Sequence, residues 1–112
     1  MRETFHLVAE PVWAAADHGA PYEAASLASE GFIHCTDGVD ALGVTFDRYF
    51  AADERTFVAL TVDLEALDVP WRYDVPGSPY PHIYGPITRS AIVGMSRAIR
   101  RPDGRFAGLA PI

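Results

Sequence analysis

Three of the four histidines fall in short apolar segments: His6 in Phe5-His6-Leu7, His34 in Gly31-Phe32-Ile33-His34-Cys35-Thr36, and His82 in Pro81-His82-Ile83-Tyr84-Gly85. Imidazole titrates near neutral pH, so a histidine facing a cleft can take up or release a proton. The same residue buried in a strand is a structural element instead, and both ring nitrogens then need partners. On the first reading His34 and His82 form an acid–base pair, and His6, Thr36, Tyr84 and Tyr80 bind the ligand. A hydroxyl at a strand end, as on Thr36 or Tyr84, orients a polar group while the methyl or ring packs. Tyr80 lies in a proline-rich loop at Pro76, Pro79 and Pro81, placed to cover a pocket. His18, beside a predicted helix end, is expected to cap it or to be exposed.

Other chemistries find little support. No His-x-His or His-x-x-x-His pair exists, so no metal is expected despite the three imidazoles. Cys35 adjoins His34, but neighbouring strand residues point to opposite faces, and the thiol reads as a small buried hydrophobe. There is no nucleophile elbow, no dinucleotide fingerprint and no phosphate-binding loop. All nine basic residues are arginine, which excludes lysine-based and Schiff-base mechanisms.

The composition narrows the partners. A net charge of −6 with a sequence pI near 5.0 speaks against a nucleic-acid binder, which needs a basic face. Five of the nine arginines fall after residue 74 with Asp103 as the one acid there, a bias that suits a small anion or a solvated strand edge. With 49% apolar and 21% charged residues in 112, the chain is expected to fold as one domain, residues 1–112, monomeric or a small homo-oligomer. No apolar stretch approaches the roughly 20 residues of a membrane span, no secretory leader pattern opens the chain, and a single cysteine suits a reducing cytoplasm.

These residues must be positioned by short elements. Thr4 to Ala9 alternates as a strand, with Pro11 opening a helix through Trp13 to Ala16. Ser26 to Glu30 reads as a helical turn stopped by Gly31, and Phe32 to Cys35 as a buried strand. Thr36 or Asp37 is the expected N-cap of a helix whose stripe carries Val39, Leu42, Phe46, Tyr49 and Phe50. Phe57 to Val62 is the central strand, and Val69 to Val75 and Ile83 to Ile87 are further extended segments. Pro102-Asp103-Gly104 is the turn of a closing hairpin between Ala91–Arg100 and Arg105–Leu109. Two to three helices followed by strands predict an α+β fold with a bent or split antiparallel sheet.

The three histidine segments in this order, with a tryptophan helix after the first, resemble domain-of-unknown-function family 952 from Thr4 to about Ile99. Glu30-Gly31-Phe32-Ile33-His34-Cys35-Thr36 and Pro81-His82-Ile83-Tyr84-Gly85-Pro86 carry the resemblance most specifically. Members of that family look like small relatives of the ADP-ribosyltransferase fold, a split, bent sheet that holds a nicotinamide dinucleotide in its cleft. By that resemblance His6 corresponds to a first-strand ribose contact, His34 to Thr36 to the second motif, and His82 and Tyr84 to a later strand facing the same cleft. It implies NAD as ligand or substrate and no required cofactor. The departure is a missing late-strand glutamate: no acid lies between Asp74 and Asp103. The expectation is a protein that binds a small molecule, such as NAD or ADP-ribose, in a histidine-lined cleft, with transferase activity in question. The alternative is a non-catalytic interaction module whose histidines are structural.

Overall fold

Phe57-Val58-Ala59-Leu60-Thr61-Val62 lacks polar alternation, and a strand of that kind must be covered on both faces. In the computed structural model, which describes all residues from Met1 to Ile112, this run is the central strand β3, Phe57–Asp63. Its neighbours are β1 (Glu3–Ala9) on one side and β6 (Ile92–Arg100) on the other, with β7 (Phe106–Pro111) beyond β6. All pairings are antiparallel. A second antiparallel sheet has the order β2-β5-β4, formed by Ile33–His34, His82–Ile83 and Trp71–Arg72. With three helices, α1 (Glu10–Ala15), α2 (Ala25–Glu30) and α3 (Val39–Tyr49), the architecture is α+β. No helix is long and apolar enough to cross a membrane.

Each face of the large sheet has its own core. Val8, Val58, Leu60 and Val62 point toward the small sheet and pack with Ile33, Cys35 and Ile83. On the opposite face Ala9, Phe57 and Ala98 meet Phe46 of α3, flanked by Phe50 and Phe106. Leu42 and Phe46 are fully buried, each contributing about 1.5–3 kcal/mol by leaving water.

Several local expectations are corrected. The α3 stripe is narrower than its sequence pattern: Leu42 and Phe46 are fully buried, while Val39 and Tyr49, at the two ends of the helix, are exposed. Its N-cap is Gly38, at φ +83°, rather than Thr36 or Asp37, and no side chain caps it. Thr36 is instead committed to β1, as described below. The predicted strands Val69–Val75 and Ile83–Ile87 shrink to two residues each, Trp71–Arg72 and His82–Ile83. Prolines at positions 70 and 86 cannot donate to a ladder, which limits both. Trp13 is half-buried against the core, and His18 closes the end of α1 by donating to the Trp13 carbonyl at 3.1 Å. The closing hairpin forms as expected, with Gly104 at φ +90° and Arg101 N–H donating to the Arg105 carbonyl at 2.7 Å.

Candidate functional site

Beyond their packed faces, the β1 edge of the large sheet and the segment after β2 are joined by a backbone bridge. Phe5 N–H donates to the Thr36 carbonyl at 2.9 Å, and Thr36 N–H returns a bond to the Phe5 carbonyl at 2.8 Å. One residue later β1 and β2 diverge, and His6 spans the gap. Its Nδ1–H donates to the His34 carbonyl at 2.7 Å. A carbonyl can only accept, so Nδ1 carries the proton and Nε2 accepts from the Tyr22 hydroxyl at 2.9 Å. Burial drives the imidazole down to about 4, outweighing the opposing effect of the carbonyl bond. Burial likewise pushes the Tyr22 hydroxyl up to about 12. His6 is therefore a neutral strut near pH 7, with both nitrogens used.

The divergence leaves a cavity of about 710 Å³ along the free edge of β1, within the ~300–1,000 Å³ range of small-molecule sites. Phe5 and Leu7 from one face of β1 and His6 and Val8 from the other all border it. Backbone groups alternate direction along an antiparallel strand, so Leu7, two residues from Phe5, turns its N–H and C=O away from β3. No protein group pairs with them. The walls come from α2, with Glu30, and from α3, with Thr45 and Arg48. Arg48 is the sole arginine of the lining and makes no ion pair within the protein.

His34 and His82 both border this cavity. They face each other across the β2–β5 ladder, with ring centroids 5.5 Å apart and planes at 73°. Phe32 stacks flat on His82 at 4.0 Å and meets His34 edge-on at 4.8 Å. His34 Nε2 is 3.0 Å from the Glu30 carboxylate, one helical turn away in sequence, and its Nδ1 has no partner. His82 Nδ1 donates to Asp74 at 2.7 Å, and its Nε2 is free. Asp74 also accepts from the Tyr84 hydroxyl and from Arg72 Nε, and these bonds, Tyr84 first, hold its carboxyl well below the usual carboxylate range.

The sequence-derived residues thus divide. His6, His34, Thr36, Tyr80 and His82 all border the cavity. Tyr84 does not, contrary to expectation: its hydroxyl is taken by Asp74, and the Arg72 guanidinium covers its ring at 4.1 Å. Thr36 offers little surface, since it is 4% exposed with its hydroxyl 3.4 Å from that of Thr45. Cys35 points into the core, where burial pushes its thiol far above the usual range. No three His, Cys, Asp or Glu side chains are grouped so as to hold a metal ion. Sequence reasoning assigned no role to Asp74, Arg72, Glu30, Phe32 or Arg48, and took Tyr22 only as aromatic surface or core. Glu30 and Phe32 lay inside a motif already singled out, and Asp74 was visible as the last acid before Asp103.

A search among curated proteins finds no significant match. Among solved structures, the crystal structure of protein CC0527 from Caulobacter crescentus is similar with a TM-score of 0.74 at 23% identity, covering 94% of this chain and 93% of that one. A crystal structure of a double mutant of the same protein gives the same values. Its solution NMR structure gives a TM-score of 0.71 at 25% identity, covering 94% of this chain and 91% of that one. These likenesses concern the fold. A family described as "Protein of unknown function (DUF952)" matches residues 7–95, a span holding Leu7, Tyr22, both facing histidines and Asp74, and to that family the chain belongs.

Proposed function

We propose that the cavity binds a nucleotide of the NAD or ADP-ribose type and that His34 and His82 do acid–base work at its mouth. The observation that carries this reading is the cavity at the split between two antiparallel sheets, bordered by both histidines and by an unpaired arginine. Each part of such a ligand has a matching surface. Arg48 supplies the cation a pyrophosphate needs, the Leu7 backbone edge can pair with an amide or a base, and Tyr80 offers an aromatic ring. The ADP-ribosyltransferase-like reading of the fold belongs here too, supported by the division into sheets of four and three strands. Glu30 is the one carboxylate in the lining and comes from α2, not from a late strand. Acid–base work is accordingly assigned to the imidazoles.

The rival reading, structural histidines in an interaction module, describes His6 well. It describes His34 and His82 poorly, because each keeps a ring nitrogen free of protein partners. An NMR titration with NAD and with ADP-ribose, using glutathione as the unrelated control, tests the proposal. Expected are shifts at Arg48, Tyr80, His34 and His82 with the nucleotides and none with glutathione. Unchanged spectra at millimolar NAD and ADP-ribose would sink it.

A further inference from the structure

Asp74 lies outside the cavity yet organises what faces it. Its Oδ2 accepts from His82 Nδ1 at 2.7 Å and from the Tyr84 hydroxyl, and its Oδ1 accepts from Arg72 Nε at 2.7 Å. A carboxylate this engaged is acceptor-only, so the neutral His82 ring must carry its proton on Nδ1, which leaves the lone pair on Nε2. Nε2 lies across the ring from Asp74. Because His82 borders the cavity and Asp74 does not, that lone pair is presented to the cavity. Phe32, stacked at 4.0 Å and 16°, prevents the ring from turning away. Arg72 over the Tyr84 ring and the Tyr84–Asp74 bond fix the carboxylate in turn. None of these contacts belongs to either hydrophobic core. Ordering so many half-exposed side chains costs entropy that packing does not require.

We infer that Asp74 is a positioning residue that locks His82 in the Nδ1–H tautomer, so that Nε2 accepts a hydrogen bond from a hydroxyl group of the bound ligand. The tautomer follows from the geometry alone; the choice of ADP-ribose as probe, with its ribose hydroxyls, rests on the function proposed above. The preference is for ligands that donate at this point. A ligand with only acceptors there leaves the Nε2 lone pair unmatched.

The test is long-range ¹H–¹⁵N NMR of the histidine rings in the whole chain, without ligand and then with ADP-ribose. The ligand-free protein with a neutral His82 ring is expected to show the Nδ1–H tautomer, with Asp74, Arg72, Tyr84, His34 and Glu30 as the charged or titratable groups around it. In Asp74→Asn the amide oxygen is drawn to Arg72 and the NH₂ faces His82, so the tautomer flips to Nε2–H. ADP-ribose affinity should then fall by about tenfold, the scale of one lost hydrogen bond. Tyr84→Phe keeps the Asp74–His82 bond and should keep the tautomer. Asp74→Ala serves as a second variant should the asparagine disturb folding, and it should show mixed tautomers. An Nε2–H tautomer in the unmodified protein, or a tautomer indifferent to both changes at Asp74, overturns the inference. If ADP-ribose fails to bind while the tautomer switches as described, the nucleotide reading falls and the positioning role stands.

Discussion

Replacing His6 by phenylalanine tests whether this imidazole is the strut that spans the divergence of the two sheets. The ring is 7% exposed and bonded at both nitrogens, so a phenyl group of similar shape fills its place but strands the Tyr22 hydroxyl and the His34 carbonyl. Each stranded buried group costs about 1–3 kcal/mol. After the gain from burying a more apolar ring, the expected loss at pH 7 is about 3 kcal/mol, or a melting point lower by about 12 °C. Acid supplies an independent check. Because the folded imidazole titrates at about 4 against an ordinary 6.5, the unfolded chain takes up its proton first as the pH drops. The stabilisation is present above about 6.5 and is lost on descending to about 4, amounting to about 3 kcal/mol. The phenylalanine variant has no such proton to take up. Urea unfolding of both proteins from pH 7 to pH 4 should therefore show their difference shrinking toward zero, while contributions from carboxylates cancel between them. Tyr22→Phe in the same background should add little, since the hydroxyl it removes is already stranded. A cost under about 0.5 kcal/mol at neutral pH, or a gap that stays constant with pH, would refute the strut.

Two further predictions use separate parts of the fold. Arg100 donates to the carbonyls of Phe50, Ala51, Asp53, Arg55 and Gly104 and lies 4.8 Å from the Phe46 ring centroid; Arg100→Lys keeps the charge but loses the fork, and urea unfolding should register a loss of about 2–3 kcal/mol. A loss within experimental error would mean that the loop after α3 closes without it. Cys35 is 2% exposed with its thiol pushed far up, so iodoacetamide at pH 8 should label it only in denaturant. Rapid labelling of the native protein would contradict its burial.

What the sequence made legible followed from short-range pattern. The β3 run, the Gly31 stop at φ +88° and the Asp103-Gly104 turn are local signals that tertiary context left intact. Position 34 could be recognised as polar in an apolar strand, but its partner could not, because the β2–β5 register that pairs His34 with His82 joins segments 48 residues apart. Asp74 was unreadable for the same reason: a carboxylate between two short strands acquires its role only when β4 and β5 pair and bring Arg72, His82 and Tyr84 around it. Alternation correctly placed His6 with Val8 on one face of β1. It carried no hint that the face is sealed by Tyr22, whose segment forms only an isolated bridge with Ile87. The width of the α3 stripe was overstated, since heptad spacing reports which residues could be covered and not how much sheet lies beneath them.

The unpaired edge of β1 at Leu7 also bears on solubility. A bare strand edge is a template onto which a strand of another molecule can add, the usual first contact in sheet-mediated aggregation. Here the edge borders a cavity whose lining includes residues of α2 and α3, so helix side chains stand beside the backbone groups that an incoming strand would need. The opposite rim, β7, does not border that cavity and ends at Pro111, which has no N–H to offer.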